Sequence, residues 1–393
     1  MSEAMDLTRR KLLKTSLGGA CSLAAHPMIT PVAFASAPTD QRLVVLILRG
    51  GMDGLSVLEP YGDRHLEKLR PRLARRQGEG LHDLDGFFGL DPRLAPLMPL
   101  WRAGELAFAS AVSTPYRNKR SHFDGQDALE FGSGSRDGEA TSGRDGWLNR
   151  LLSHLPDSRR ETAMVVGNAS MLILEGANPT TTWSPRTQLS FDNANRDLLE
   201  VMYAGDPLFQ DALEGAVTIA SKSRGASHYH GQREIAGYAA QRLADDSRIV
   251  TFSIGGWDTH RAQSHRISGP LTALRETILT FKTALGPVWA KTTIVAMTEF
   301  GRTVRENGSG GTDHGTGGAL LMAGGALNGG RIYGKWPGLG PRDLYHDRDL
   351  MPTEDIRSYC AWLLRSKFGV TRAALERDVF PGLDLAEDPR LLG

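Results

Sequence analysis

The sequence predicts an α/β fold, a three-layer sandwich in which helices cover both faces of a mostly parallel central sheet. Three observations lead there. Leu43 to Leu48, Ile249 to Ile254 and Thr293 to Met297 are short, continuous apolar runs rich in β-branched residues, the composition of strands buried on both faces. Each run then breaks into a glycine-rich or charged tip carrying a carboxylate: Gly50-Gly51-Met52-Asp53, Gly255-Gly256-Trp257-Asp258-Thr259-His260 and Thr298-Glu299-Phe300-Gly301-Arg302. Between the runs lie helical patterns, so strand and helix alternate along the chain.

The first 37 residues differ in kind from the rest. Thr8-Arg9-Arg10-Lys11-Leu12-Leu13-Lys14 precedes a mildly apolar stretch that ends in the small residues Ala33-Phe34-Ala35, the order of a twin-arginine export signal. Cleavage after Ala35 would start the mature chain near Ser36, because cleavage after Ala37 would put Pro38 first. Gly18-Gly19-Ala20 is a poor lead-in for lipidation of Cys21. The expected destination is the periplasm, with the twin-arginine translocase as a transient partner. That route carries proteins that fold before export, often around a cofactor.

Further strands are predicted at Leu106 to Val112, Ala163 to Val166 and Ala319 to Ala323. A helix is expected from about Ser121 through Leu129. Leu271, Leu274, Ile278, Phe281 and Leu285 recur at helical spacing, as do Ile356, Tyr359, Cys360, Leu363 and Leu364. Phe131 to Gly146, rich in Gly, Ser, Asp and Arg without periodicity, reads as a long surface loop or lid. No internal repeat or linker divides residues 38–393, so one mature domain is expected.

Composition narrows the function. Removing residues 1–35 removes four basic and two acidic residues and takes the net charge from +1 to about −1, which gives no electrostatic footprint for nucleic acid. No apolar run of about 18 residues marks a membrane span. Cys360 is the only cysteine after the signal, so no intrachain disulfide is expected there. Neither a Walker A loop nor a dinucleotide fingerprint is present.

The acids at the strand tips carry the chemistry. Open parallel sheets bind ligands at the carboxyl ends of their strands. Asp53 follows Arg49-Gly50-Gly51, which lets backbone approach a ligand closely; it reads equally as a turn aspartate capping the next helix. Asp258 and His260, two apart, share one side of an extended segment, as chelation requires. Glu299 follows an apolar run, where a buried carboxylate needs a cation or Arg302 to compensate it. Asp313-His314 lies between Gly310-Gly311 and Gly315, on a loop able to turn both side chains inward. Together they predict a divalent metal, with zinc, manganese or iron(II) suited to mixed carboxylate and imidazole ligands. Ser121 is the candidate nucleophile, at the positive end of a helix, with an N-cap as its other reading. Ser113-Thr114-Pro115-Tyr116-Arg117 is a weaker rival that lacks the Thr-Gly continuation of the sulfatase motif. His82, His154, His228 and His230 lack an acidic or glycine-rich setting and read as surface or structural residues.

At these residues the chain resembles the bacterial family called domain of unknown function 1501, grouped with the alkaline phosphatase and sulfatase superfamily. The resemblance spans nearly the whole chain. It rests on the twin-arginine start, Leu46 through Gly54, Arg120-Ser121-His122-Phe123, Asp145-Gly146-Trp147-Leu148, Gly255 through His260, Thr298 through Gly315, and Phe380-Pro381-Gly382. It implies an alkaline phosphatase-like fold. Asp53 would match the first-strand acid bridging the metals, Asp258 and His260 the downstream ligands, Glu299 the acid of the late strand, and His314 the final histidine. Glu299-Phe300-Gly301 replaces the superfamily's Asp-His-Gly, with the histidine partner displaced to Asp313-His314, and this favours one metal site over two.

Two functions follow. One is an exported metal-dependent hydrolase of a small anionic ester, phosphate or sulfate, with Ser121 or a water as the attacking group. The other is a non-catalytic envelope protein that keeps the fold and binds or assembles an envelope component. Metal content combined with esterase turnover separates them.

Overall fold

Alternation along the first strand decides the layering. In β1 (Arg42–Leu48), Leu43, Val45 and Ile47 point into one apolar core while Val44, Leu46 and Leu48 point into another, as the two-residue period of a strand dictates. All six side chains are essentially inaccessible to solvent. The computed structural model describes residues 39–75, 80–117, 119–134, 145–167, 171–184 and 232–393. The expected export signal, Cys21, His228, His230 and the middle of the 131–146 segment lie outside the described residues.

Among the described residues the central sheet has nine strands. Beside β1 they are β2 (Leu106–Ser113), β3 (Ala163–Val166), β4 (Thr181–Trp183), β5 (Ile249–Ile254), β6 (Thr292–Met297), β7 (Gly318–Ala323), β8 (Arg331–Tyr333) and β9 (Glu354–Asp355). Their order is β8-β2-β7-β6-β1-β5-β3-β4, with β9 added to β2. β1 pairs in parallel with both β5 and β6, with Leu48 opposite Ile254 and Ile47 opposite Met297. The pairings of β3 with β4 and β5, and of β2 with β8 and β9, are also parallel. β7 alone runs antiparallel to its neighbours, β2 and β6. The α/β class and mostly parallel sheet expected from the sequence are thus the observed architecture.

Five helices matter for the argument: α1 (His122–Phe131), α2 (Trp147–Leu152), α3 (Gln232–Ala244), α4 (Ser268–Leu285) and α5 (Ile356–Phe368). Leu271, Leu274, Ile278, Phe281 and Leu285 form the stripe by which α4, with α3, covers the Val44/Leu46/Leu48 face. Tyr359, Cys360, Leu363 and Leu364 of α5, with Leu148, Leu151 and Leu152 of α2, cover the opposite face. No helix among the described residues is long and apolar enough to cross a membrane.

Candidate metal centre

The order of strands explains why distant motifs meet. β6, β1 and β5 are adjacent and parallel, so the segments after Leu48, Ile254 and Met297 emerge side by side at one end of the sheet. β2 shares their direction and delivers the start of α1 to the same end. β7 runs the other way, so Asp313-His314, which precede it, also arrive there. The tips are tied together by backbone. Arg49 N donates to the Ile254 carbonyl (2.9 Å), Gly315 N to the Gly301 carbonyl (2.8 Å) and Thr303 N to the Asp313 carbonyl (2.9 Å). Gly50 has a φ of 120°, and a Cβ there would lie 2.6 Å from Asp258 N; only glycine lets the β1 tip approach the β5 tip so closely.

Three histidines converge at this end, and each has its Nδ1 against an acceptor. His122 Nδ1 lies 2.7 Å from Glu299 Oε1, His314 Nδ1 2.8 Å from the Arg120 carbonyl, and His260 Nδ1 3.2 Å from Asp313 Oδ1. Carboxylates and carbonyls only accept, so each Nδ1 carries a proton, and in the neutral imidazole each Nε2 then keeps its lone pair. Those lone pairs face one another. His260 Nε2 lies 3.0 Å from His314 Nε2 and 2.9 Å from Asp258 Oδ1; His314 Nε2 lies 3.3 Å from that oxygen and His122 Nε2 3.5 Å from Asp258 Oδ2. His122 Nε2 is buried without a hydrogen-bond partner. Ligand atoms of His122, Asp258 and His314 all lie within 4.8 Å of one another. Arg302 donates to Asp258 Oδ1 from one side, and the convergence of imidazole nitrogens on the same carboxylate fits a cation; the carboxylate or carbonyl behind each imidazole is the outer support that metal-binding histidines use.

The supports are themselves held. Glu299, fully buried, also accepts from Gly50 N (2.9 Å), Gly51 N (3.1 Å) and Thr298 Oγ1 (3.0 Å). Burial pushes its carboxyl up, but the His122 hydrogen bond and the backbone donors outweigh burial and hold it below the usual range. The Glu299 hydrogen bond in turn raises His122 against the opposing pull of burial, so a proton competes with a metal for this imidazole as the pH falls. Burial lowers His314, and the charges of His122 and Arg302 act in the same direction. For Asp258, burial acts upward, yet Arg302, His260 and His122 together keep the carboxyl below its ordinary value. Arg120 has a φ of 51°, a left-handed conformation disfavoured for a side-chain-bearing residue, and its carbonyl is the one that accepts from His314.

The family profile described as Protein of unknown function (DUF1501) matches residues 95–376. The chain belongs to that family. No curated protein matches this DUF1501 chain. Among solved structures it is similar to a protein in the alkaline phosphatase superfamily from Vibrio parahaemolyticus, at 12% identity over 88% of this chain and 72% of that one, with a TM-score of 0.41. The zinc complex of the C-terminal periplasmic domain of EcEptC from Escherichia coli is similar at 10% identity, over 88% of this chain and 87% of that one, with a TM-score of 0.41. TAB5 alkaline phosphatase is similar at 12% identity, over 76% of this chain and 95% of that one, with a TM-score of 0.32.

Of the residues singled out from the sequence, Asp258, His260 and His314 meet at the centre of the cluster. Glu299 and Asp313 stand behind it as acceptors for His122 and His260 rather than facing the other ligand atoms. Asp53 takes another part. Its carboxylate is buried and gripped by both terminal nitrogens of Arg70 (2.6 and 3.0 Å), with Ser56 Oγ (2.7 Å) and Gln263 adding donors. Ser121 caps α1, its Oγ accepting from Asp124 N at 3.5 Å. His122, which the structure brings beside Asp258 and His314, was not among the residues singled out from the sequence. The available signal was the Arg120-Ser121-His122 motif, in which the serine was singled out and its neighbour was not.

Proposed function

We propose that this protein is an exported hydrolase of a phosphate or sulfate ester, working with one divalent ion held by His122, Asp258, His260 and His314. The observation that supports this reading is the convergence of His122, Asp258 and His314, whose ligand atoms all lie within 4.8 Å of one another, with His260 Nε2 2.9 Å from Asp258 Oδ1 and 3.0 Å from His314 Nε2. Zinc, manganese or iron(II) suits these ligands, and a bound ion would supply Lewis acidity toward an anionic ester.

The chain's own residues supply recognition. Arg120 and Arg348 share one buried carboxylate, Asp349, at 2.9 and 3.0 Å, so two positive charges meet one negative charge. Their side chains are 27% and 40% exposed, which leaves net positive charge at the rim for an anionic group. Arg348 also donates to the His314 carbonyl (2.9 Å) and so ties this rim to the metal cluster. Ser121 acts as a cap, and water is the attacking group.

The test is a metal-complemented screen of the purified protein against phosphate and sulfate esters. Turnover should depend on added metal and fall ~10²-fold or more in His122→Ala, while Ser121→Ala should keep its activity and lose only about 1 kcal/mol of stability. A hundredfold loss in Ser121→Ala would make the serine the nucleophile. Metal binding without turnover of any ester would turn the reading to a non-catalytic envelope protein.

A further inference from the structure

Arg302 is fully enclosed beside the imidazole cluster, and all but one of its oxygen partners are backbone carbonyls. Its side chain has no exposure. Nε donates to the Gly51 carbonyl (2.7 Å) and Nη1 to the Thr312 carbonyl (3.1 Å). Nη2 lies within reach of the Gly50 carbonyl (2.9 Å), the Trp257 carbonyl (3.0 Å) and Asp258 Oδ1 (2.5 Å). Four backbone carbonyls from three separate loops and one carboxylate therefore point at one guanidinium. Five oxygens around a positive centre is the donor set of a hard cation such as calcium. Nη1 also lies 3.5 Å from His260 Nε2, so the charge borders the imidazole cluster without facing solvent.

We infer that Arg302 is a built-in cation: it occupies a carbonyl-lined cation pocket beside the imidazole cluster, excludes a second metal ion from it, and positions Asp258 for the one ion the cluster takes. This goes beyond the hydrolytic reading and does not depend on turnover. Three features follow. The guanidinium cannot dissociate, so the carbonyls at the tips of β1 and β5 stay converged with or without metal. Asp258 Oδ1 is fixed by a charge-assisted hydrogen bond. Lysine cannot take over, because a single ammonium offers three donors without the planar fork that reaches carbonyls on separate loops. Arg302 is thus a positioning residue and touches no substrate.

The experiment uses Arg302→Ala and Arg302→Lys in the full chain, with calcium, guanidinium and cobalt(II) as probes. Arg302→Ala opens the pocket. Calcium or millimolar guanidinium should then raise its melting temperature, and neither should affect the wild type. Cobalt(II) affinity, read by competition with a chelating dye, should fall ~10- to 100-fold in Arg302→Ala, as for other outer supports of metal ligands, and guanidinium should restore it. A purely structural arginine would not be rescued in this way. If Arg302→Ala does not fold, Arg302→Lys carries the test, with weakened cobalt affinity as the expected result. Unchanged cobalt affinity in a folded variant, or no response of Arg302→Ala to calcium and guanidinium, would overturn the inference. A wild type that takes up no cobalt would sink the hydrolytic reading, while a calcium or guanidinium response confined to Arg302→Ala would still support the built-in cation.

Discussion

Asp53 and Asp258 both stand just beyond the carboxyl end of a parallel strand, yet their surroundings assign them opposite work. Asp53 is 1% exposed and its charge is matched by a fully buried arginine, Arg70. Asp258 also meets a buried arginine, Arg302, but is 45% exposed at the side chain and lies against the Nε2 atoms of His260 and His314. Removing one partner of a buried ion pair leaves the other charge uncompensated and costs ~3–5 kcal/mol. Asp53→Ala should therefore lower the urea unfolding free energy by about that amount and leave metal affinity unchanged in the folded fraction. Loss of metal with an unaltered unfolding midpoint would return Asp53 to the ligand set. The sequence shows an acid beside two glycines and cannot show which arginine reaches it, because Arg70 gains its place only when the segment from Leu66 packs beneath the β6 tip, where its Nε and Nη2 donate to the Val304 and Thr303 carbonyls. Asp258 and His260 were legible because two residues of one short loop need no tertiary information to be neighbours. His122 needs the whole strand order to reach them.

Elements with strong periodicity were legible in sequence, and those defined by direction or by edge contacts were not. The α4 stripe and the β1, β5 and β6 runs fall where the pattern puts them. An apolar run such as Ala319 to Ala323 carries no mark of polarity, so the antiparallel course of β7 appears only in the sheet. The two- and three-residue strands β9, β4 and β8 are held by their neighbours rather than by propensity. In the last turn of α5, Lys367 is buried and its Nζ donates to Gln41 Oε1 and the Lys291 carbonyl, both at 3.0 Å. Burial, reinforced by the Arg42 charge, pulls its amine down to about 7. A lysine depressed in the folded state binds its proton more readily when unfolded. Its cost to stability therefore grows as the pH falls from the unfolded value near 10.5 toward about 7, and is fully present below. Lys367→Met removes this dependence. The stability of the variant relative to wild type should be most favourable near about pH 6 and decline toward about pH 9.5. A difference that stays constant across that range would show that the buried amine keeps its proton throughout.

For the molecule as a whole, the sequence carried the α/β class, both faces of the sheet and the end at which chemistry collects, because strand-end acids are a property of local order along the chain. It left open which side chains would face an ion and which would stand behind them, since that depends on ring orientation fixed by Glu299, Asp313 and the Arg120 carbonyl. We propose export from the twin-arginine pattern of the first residues: replacing Arg9 and Arg10 with lysine should keep the protein out of the periplasmic fraction, and unchanged delivery would remove the twin-arginine reading. The proposed function needs a bound ion. Elemental analysis of purified protein, wild type beside His122→Ala and Asp258→Ala, tests it most directly. The expected result is about one equivalent of zinc, manganese or iron per wild-type chain and a clear deficit in both variants. Metal-free wild type after incubation with these ions, or full occupancy in both variants, would contradict the assignment of this cluster as a metal centre.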